Sequence, residues 1–154
     1  MQIDSAGAII GLVVKRIILD TNVLVAALTS SKGASRAVLR GALLGLWQPL
    51  ISLPLFLEYE DVMARREVLQ RCPLPDEERQ ALLDALLSRC ELIEVYYAWR
   101  PNLRDEGDNH VFELAVAAQD AALLTWNVRD FAGAELRFPQ VTVMTPARWM
   151  KENS

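Results

Sequence analysis

Short, almost unbroken apolar runs alternate along this chain with longer segments in which apolar residues recur every three or four positions. Runs of the first kind suit strands buried on both faces of a parallel sheet, and segments of the second kind suit the helices that cover it. Leu12 to Leu19, broken only by Lys15 and Arg16, predicts a first strand. Val23 to Leu28 predicts a helix that starts straight after Asp20. In the next segment Val38, Leu39, Ala42, Leu43 and Leu46 share one helical stripe, flanked by Arg36 and Arg40. Pro49 to Ser52 reads as a short second strand, and Pro54 suits the first turn of a helix that carries Leu55, Tyr59, Val62 and Met63 inward.

Cys72-Pro73-Leu74-Pro75 breaks the chain. Asp76 is the expected N-cap of the following helix, with Glu77 and Glu78 in its favourable first turn. Glu91 to Tyr96 predicts a third strand, Ala121 to Thr125 a fourth and Val141 to Met144 a fifth. Val111, Leu114, Ala115 and Ala118 mark the inner face of a helix between them, and Thr145-Pro146 starts a terminal helix with Trp149 and Met150. Such an order predicts a three-layer α/β/α domain with a mostly parallel sheet over residues 15–150. Residues 1–14 form an N-terminal extension, in which Met1 to Gly11 has no clear strand partner.

Composition narrows the class. A chain of 154 residues with 52% hydrophobic and 23% charged side chains fits one globular domain and excludes a disordered one. It is long enough to bury about two thirds of its unfolded surface. The longest apolar run, Ala6 to Val14, is too short to span a bilayer. With no basic residue before it and no clear cleavage site, it is not expected to be a signal peptide. Cys72 and Cys90 lack CxxC spacing, which fits a reducing cytoplasm and no zinc site. A formal net charge of −4 argues against binding nucleic acid by bulk electrostatics, but not against acids gathered around a cation.

Those acids fall where an open α/β sheet puts its ligand sites, outside the carboxyl ends of the strands. Asp20 ends the first strand, and Thr125-Trp126-Asn127 follows a later one. Asp108, in Arg104-Asp105-Glu106-Gly107-Asp108-Asn109, opens a helix where its charge meets the positive end of the dipole. Glu58 lies one turn into its helix and points back toward the same edge, whereas Glu60, two steps on, is turned by about 200°. Carboxylates gathered at one rim repel each other unless a cation neutralises them, and oxygen-rich sites select Mg²⁺ or Mn²⁺. Such an ion can orient a phosphodiester and activate water. His110 is the only histidine and no GxSxG elbow exists, so nucleophilic triads do not compete. Blander readings stay open: Asp20 as a turn and cap residue, Glu58 paired with Arg65 or Arg66, Asp108 as an N-cap, Asp105 on the loop surface. Asn127 and Asp130 equally suit a plain turn before Phe131. His110 is expected to be solvated or to meet a phosphate, Trp126 to pack or to stack on an unpaired base. Arg65, Arg66 and Arg71, or Arg36 and Arg40, could grip a phosphate backbone or merely serve solubility.

At these residues the chain resembles the PIN-domain family, in particular its toxin–antitoxin ribonuclease branch. The resemblance runs from about Lys15 to Trp149. Its first acid matches Asp20 in Leu-Asp-Thr-Asn-Val-Leu, its helical Glu matches Glu58 ahead of Val62-Met63, and its third acid matches Asp108, with the extra acid of some members at Asp105. The fourth position is commonly Asp in a Thr-x-Asp turn; here it is Asn127, followed by Asp130-Phe131. The resemblance implies a Mg²⁺- or Mn²⁺-dependent ribonuclease in which Asp20, Glu58 and Asp108 hold the ion and Asp105, Asn127 and Asp130 shape its surroundings. It further implies an RNA substrate, a homodimer and a small antitoxin that covers the site. Asn127 removes one negative charge but keeps a carbonyl oxygen, so reduced or single-metal activity is expected. A silent PIN-like module that binds RNA or protein is the rival reading. Phosphotransfer on Asp20 ranks third, because Asn22 replaces the second acid of Asp-x-Asp and no lysine follows Thr125.

Overall fold

The computed structural model describes residues 2–3, 9–10, 14–30, 33–95 and 109–154. Two short strands, β1 (Gln2–Ile3) and β2 (Ile9–Ile10), pair antiparallel, so the N-terminal stretch finds its partner within itself. The body runs β3 (Arg16–Leu19), α1 (Thr21–Thr29), α2 (Ala34–Leu43), β4 (Gln48–Ile51), α3 (Leu53–Met63), α4 (Arg66–Arg71), α5 (Asp76–Arg89) and β5 (Glu91–Leu92). It continues with α6 (Asn109–Ala118), β6 (Ala121–Leu124), a 3₁₀ turn at Val128–Phe131, α7 (Ala132–Arg137), β7 (Thr142–Met144) and α8 (Pro146–Asn153). No helix among the described residues is long and apolar enough to cross a membrane.

The five body strands form one all-parallel sheet in the order β5-β4-β3-β6-β7. The chain therefore starts in the middle, builds outward through β4 and β5, and returns to the other side of β3 with β6. That reversal opens a crevice between the carboxyl ends of β3 and β6, the usual ligand position in such sheets. Ile17, Ile18, Leu19, Leu123 and Leu124 are buried, as expected of central strands covered by helices on both faces. Leu19 pairs with Leu124, so the residues that follow them, Asp20 and Thr125, emerge side by side at the same edge.

Several expected boundaries shift, each for a local reason. The first strand begins at Arg16 rather than Leu12; residues 11–13 lie outside the described ones, and Lys15 is drawn to Asn153 on α8 (2.6 Å). Arg16 ties the start of β3 to Glu91 (2.7 Å) and to the Ala118 carbonyl (2.9 Å). The third strand stops at Leu92, and the expected end at Tyr96 lies outside the described residues. Pro75, held extended, takes the N-cap position expected for Asp76; Asp76 is instead the first helical residue and pairs with Arg79 (2.8 Å). Leu46 is exposed rather than part of the inner stripe of α2, because Gly45 adopts a left-handed φ of 79° and ends the helix. The Leu46 amide then donates back to the Gly41 carbonyl (2.9 Å), a Schellman-type stop.

That stop swings Trp47 back over α2, where its indole N–H donates to the Val38 carbonyl (2.9 Å) and its ring meets Trp149 edge-on. The indole lies directly over Gly41, where a Cβ would stand 2.0 Å from Trp47 Cζ2. Gly41→Ala gains helix propensity but must displace a ring held on two sides. It should therefore destabilise the fold by about 1–3 kcal/mol in urea denaturation, as overpacked cores do. In a Trp47→Ala background the same change should cost nothing further.

Candidate active site

Asp20 is the best-defined part of the site. It follows β3, caps α1 and is only 4% exposed. Its Oδ1 accepts the Thr21 amide (2.8 Å), and its own amide donates to the Leu124 carbonyl (3.0 Å). Oδ2 accepts the Thr125 hydroxyl (2.8 Å) and the Asn22 amide group (3.2 Å). Capping thus engages one oxygen and a second strand holds the other. Burial pushes the carboxyl above its ordinary range and the nearby charge of Glu58 adds to this, while the Thr125 and Thr21 hydrogen bonds pull the other way.

The placement of Glu58 follows from its neighbour. The phenol of Tyr59, fully buried on α3, donates to the Leu19 carbonyl (2.5 Å) and so pins α3 against the end of β3. Glu58 is carried to the same edge, half-buried, while Glu60 faces solvent as its helical angle requires. Neither Arg65 nor Arg66 is its hydrogen-bond partner; Arg65 pairs with Asp61 (2.9 Å) one turn earlier. The partner is His110, whose Nε2 meets Glu58 Oε2 where α6 passes α3. His110 is therefore neither solvated nor a free phosphate contact. Burial is the largest single influence on the Glu58 carboxyl and works to raise it, but the His110 hydrogen bond together with the nearby His110 and Arg65 charges outweighs it, and the net direction is downward.

Thr125, expected only as the end of a strand and the start of a turn, lies just past β6 (Ala121–Leu124) and joins the two strands. Its hydroxyl is wholly buried, donates to Asp20 Oδ2, and accepts from the Asn127 amide (3.0 Å) and from Asn22 (3.2 Å). A polar residue closing an otherwise apolar strand was the available signal. Asn127 joins this network through its backbone, and its side chain is exposed. Asp130 is half-buried, with its amide on the Asn127 carbonyl (3.0 Å). Asp105 and Asp108 lie outside the described residues, among which no group of three or more metal-binding side chains comes together. Beside Thr21 and Glu58 opens a cleft of about 460 Å³ between α1, α3 and α4, with Val25 and Val62 in its wall and Arg65 and Arg71 among its lining residues.

The family model described as PIN domain matches residues 16–129, nearly three quarters of the chain. The chain belongs to the PIN domain family. No curated protein sequence matches it. Among solved structures, VapBC2 from Rickettsia felis bound to a DNA fragment from their promoter is similar, with a TM-score of 0.52 and 22% identity. That match covers 84% of this chain and 98% of the other, a likeness of fold. The PIN domain match begins at the first residue of β3 and ends beyond Asn127, so it contains Asp20, Glu58, His110 and Thr125.

As a donor set, the PIN domain's described residues offer two carboxylates at one rim, and the charge of one works against ionisation of the other. Hard oxygen donors under mutual repulsion suit Mg²⁺ or Mn²⁺ rather than a soft metal. The same repulsion has a cost without a cation. Because folding raises the Asp20 carboxyl above its ordinary value of 3.8, its stabilising protonated form is lost as pH rises through the folded value. At neutral pH in EDTA, Asp20→Asn should therefore raise Tm, by roughly 2–4 °C. Mn²⁺ should raise the Tm of the wild type and leave that of the variant unmoved.

Proposed function

We propose that this PIN domain is a divalent-metal-dependent endoribonuclease and the toxin of a toxin–antitoxin pair. The observation that carries the reading is the meeting of Asp20 and Glu58 at the switch-point crevice, with Asp20 locked by Thr125 and Asn22 and Glu58 by His110. Asp20 and Glu58 would hold Mg²⁺ or Mn²⁺, with Asp108 as the third ligand. Bound there, the ion supplies Lewis-acid stabilisation of the charge that builds on a phosphodiester during hydrolysis. Thr125 and Asn22 keep Asp20 oriented through the reaction, and His110 does the same for Glu58. Asp105, Asn127 and Asp130 adjust the charge around this set. Arg65 and Arg71, at the adjoining cleft, suit the backbone of an RNA strand.

Other parts of the reading rest on the sequence pattern, namely a catalytic domain over residues 15–150 preceded by an extension and, from cysteine spacing, a cytoplasmic site of action. A homodimer and an antitoxin covering the crevice rest on the family resemblance. The similarity to a VapBC2 structure bound to promoter DNA supports a partner of that kind. A silent RNA- or protein-binding module is the second reading, favoured by the uncharged, exposed Asn127 where relatives commonly carry an acid.

The test is cleavage of a mixed single-stranded RNA panel in Mn²⁺, Mg²⁺ and EDTA, beside Asp20→Asn and Asp108→Asn. Cutting that needs the ion and disappears in both variants is the expected result. RNA binding that is indifferent to EDTA, with no shortening, would favour the silent module. His110→Ala should weaken Mn²⁺ binding by about 10- to 100-fold in calorimetry, the usual effect of losing a ligand's supporting hydrogen bond. His110→Gln, which restores a donor to Glu58, should recover part of it.

A further inference from the structure

Trp126 sits one residue beyond Thr125 with 42% of its surface exposed. The chain has four tryptophans, and of the others described, Trp47 and Trp149 are 6% and 4% exposed. A single exposed apolar side chain needs no explanation by itself; what sets Trp126 apart is a fixed position next to Asn22 and Thr125. The residue is held at both ends. Its main-chain amide donates to Asn22 Oδ1 (3.1 Å), and its indole N–H donates to the buried hydroxyl of Ser35 on α2 (2.8 Å). The only polar atom of the ring is satisfied inside the protein. The rest of the ring is carbon, so whatever of it is uncovered is apolar.

We infer that Trp126 is a stacking platform for an unpaired nucleobase beside the acidic centre. The inference rests on the nuclease reading above and deepens it by naming the form of nucleic acid the site accepts. Asn22 supplies the link: one side chain contacts Asp20 Oδ2, the Thr125 hydroxyl and the Trp126 amide. A base on the indole is thereby held in fixed register with the carboxylates that face the scissile phosphate. Every base has a π face, so the platform does not select sequence; it selects strandedness, because a base inside a duplex already stacks on its neighbours. The Ser35 hydrogen bond fixes the ring before binding, so little rotamer freedom is lost when a base arrives. Arg129, exposed three residues further on, suits a phosphate flanking that base.

The experiment compares Trp126→Ala, Trp126→Phe and wild type in Mn²⁺ on single-stranded RNA, on the same RNA with one abasic position moved along it, and on duplex RNA. Stacking contributes enough per base that Trp126→Ala should lower kcat/KM on single strands about 5- to 150-fold. Its Mn²⁺ isotherm should match that of wild type, and Trp126→Phe should keep most of the activity. One abasic position should reproduce the loss in wild type and add nothing in Trp126→Ala. Equal kcat/KM for wild type and Trp126→Ala, or an abasic scan with no sensitive position in wild type, overturns the platform and leaves the nuclease standing. A change of oligomeric state in Trp126→Ala with unchanged cleavage per protomer assigns the indole to a protein contact and overturns it too. A wild type that cuts no RNA in either ion overturns the nuclease reading and the platform with it.

Discussion

Asp20 carries a carboxylate into a place that water barely reaches, and a charge so placed needs donors on both oxygens or it takes up a proton. Meeting that demand organises the crevice. The first turn of α1 supplies the Thr21 amide, and the far side of the sheet supplies the Thr125 hydroxyl. Asn22 lies between them and also receives the amide of Trp126. The loop after β6 is thus shaped by an acid that belongs to β3. A Thr125 hydroxyl with no exposure at all has no solvent alternative, so its bond to Asp20 ties the two strand ends together beyond the ladder behind them.

The second acid is placed by different physics. Glu58 sits where it does because Tyr59 buries its ring and satisfies its hydroxyl on the Leu19 carbonyl, one residue before Asp20. The pair is therefore brought together by an apolar anchor and not by any attraction between its members, whose charges oppose each other. Stored electrostatic tension of this kind is a common mark of sites built to receive a cation, and it is supported elsewhere by the core. His110 relieves it on the Glu58 side and leaves Asp20 as the carboxylate with the raised proton affinity.

Much of the architecture is legible in the sequence. Central strands covered on both faces have no polar side to show, so Ile17-Ile18-Leu19 and Ala121 to Leu124 announce themselves as unbroken apolar runs. Helical phase alone separated Glu58 from Glu60, since the angle between successive residues is a property of the backbone. Boundaries were less legible. Where α2 ends depends on Gly45 turning left-handed, and hydrophobic spacing alone carries the stripe past it to Leu46.

Sequence by itself determined the strands and main helices of the body, the parallel sheet and the candidacy of Asp20 and Glu58, because each depends on local periodicity and on the rule that sheet ligands gather at strand ends. The short helices α4 and α7 and the β1–β2 pair carry no such pattern. Tertiary structure alone decided the partners. Thr125 meets Asp20 across 105 residues, His110 meets Glu58 across 52, and Ser35 holds Trp126 across 91. Such contacts arise from strand register and helix packing, which depend on the whole set of buried surfaces at once. No local pattern encodes them, so a turn threonine and a lone histidine became parts of the site only when the sheet closed around them.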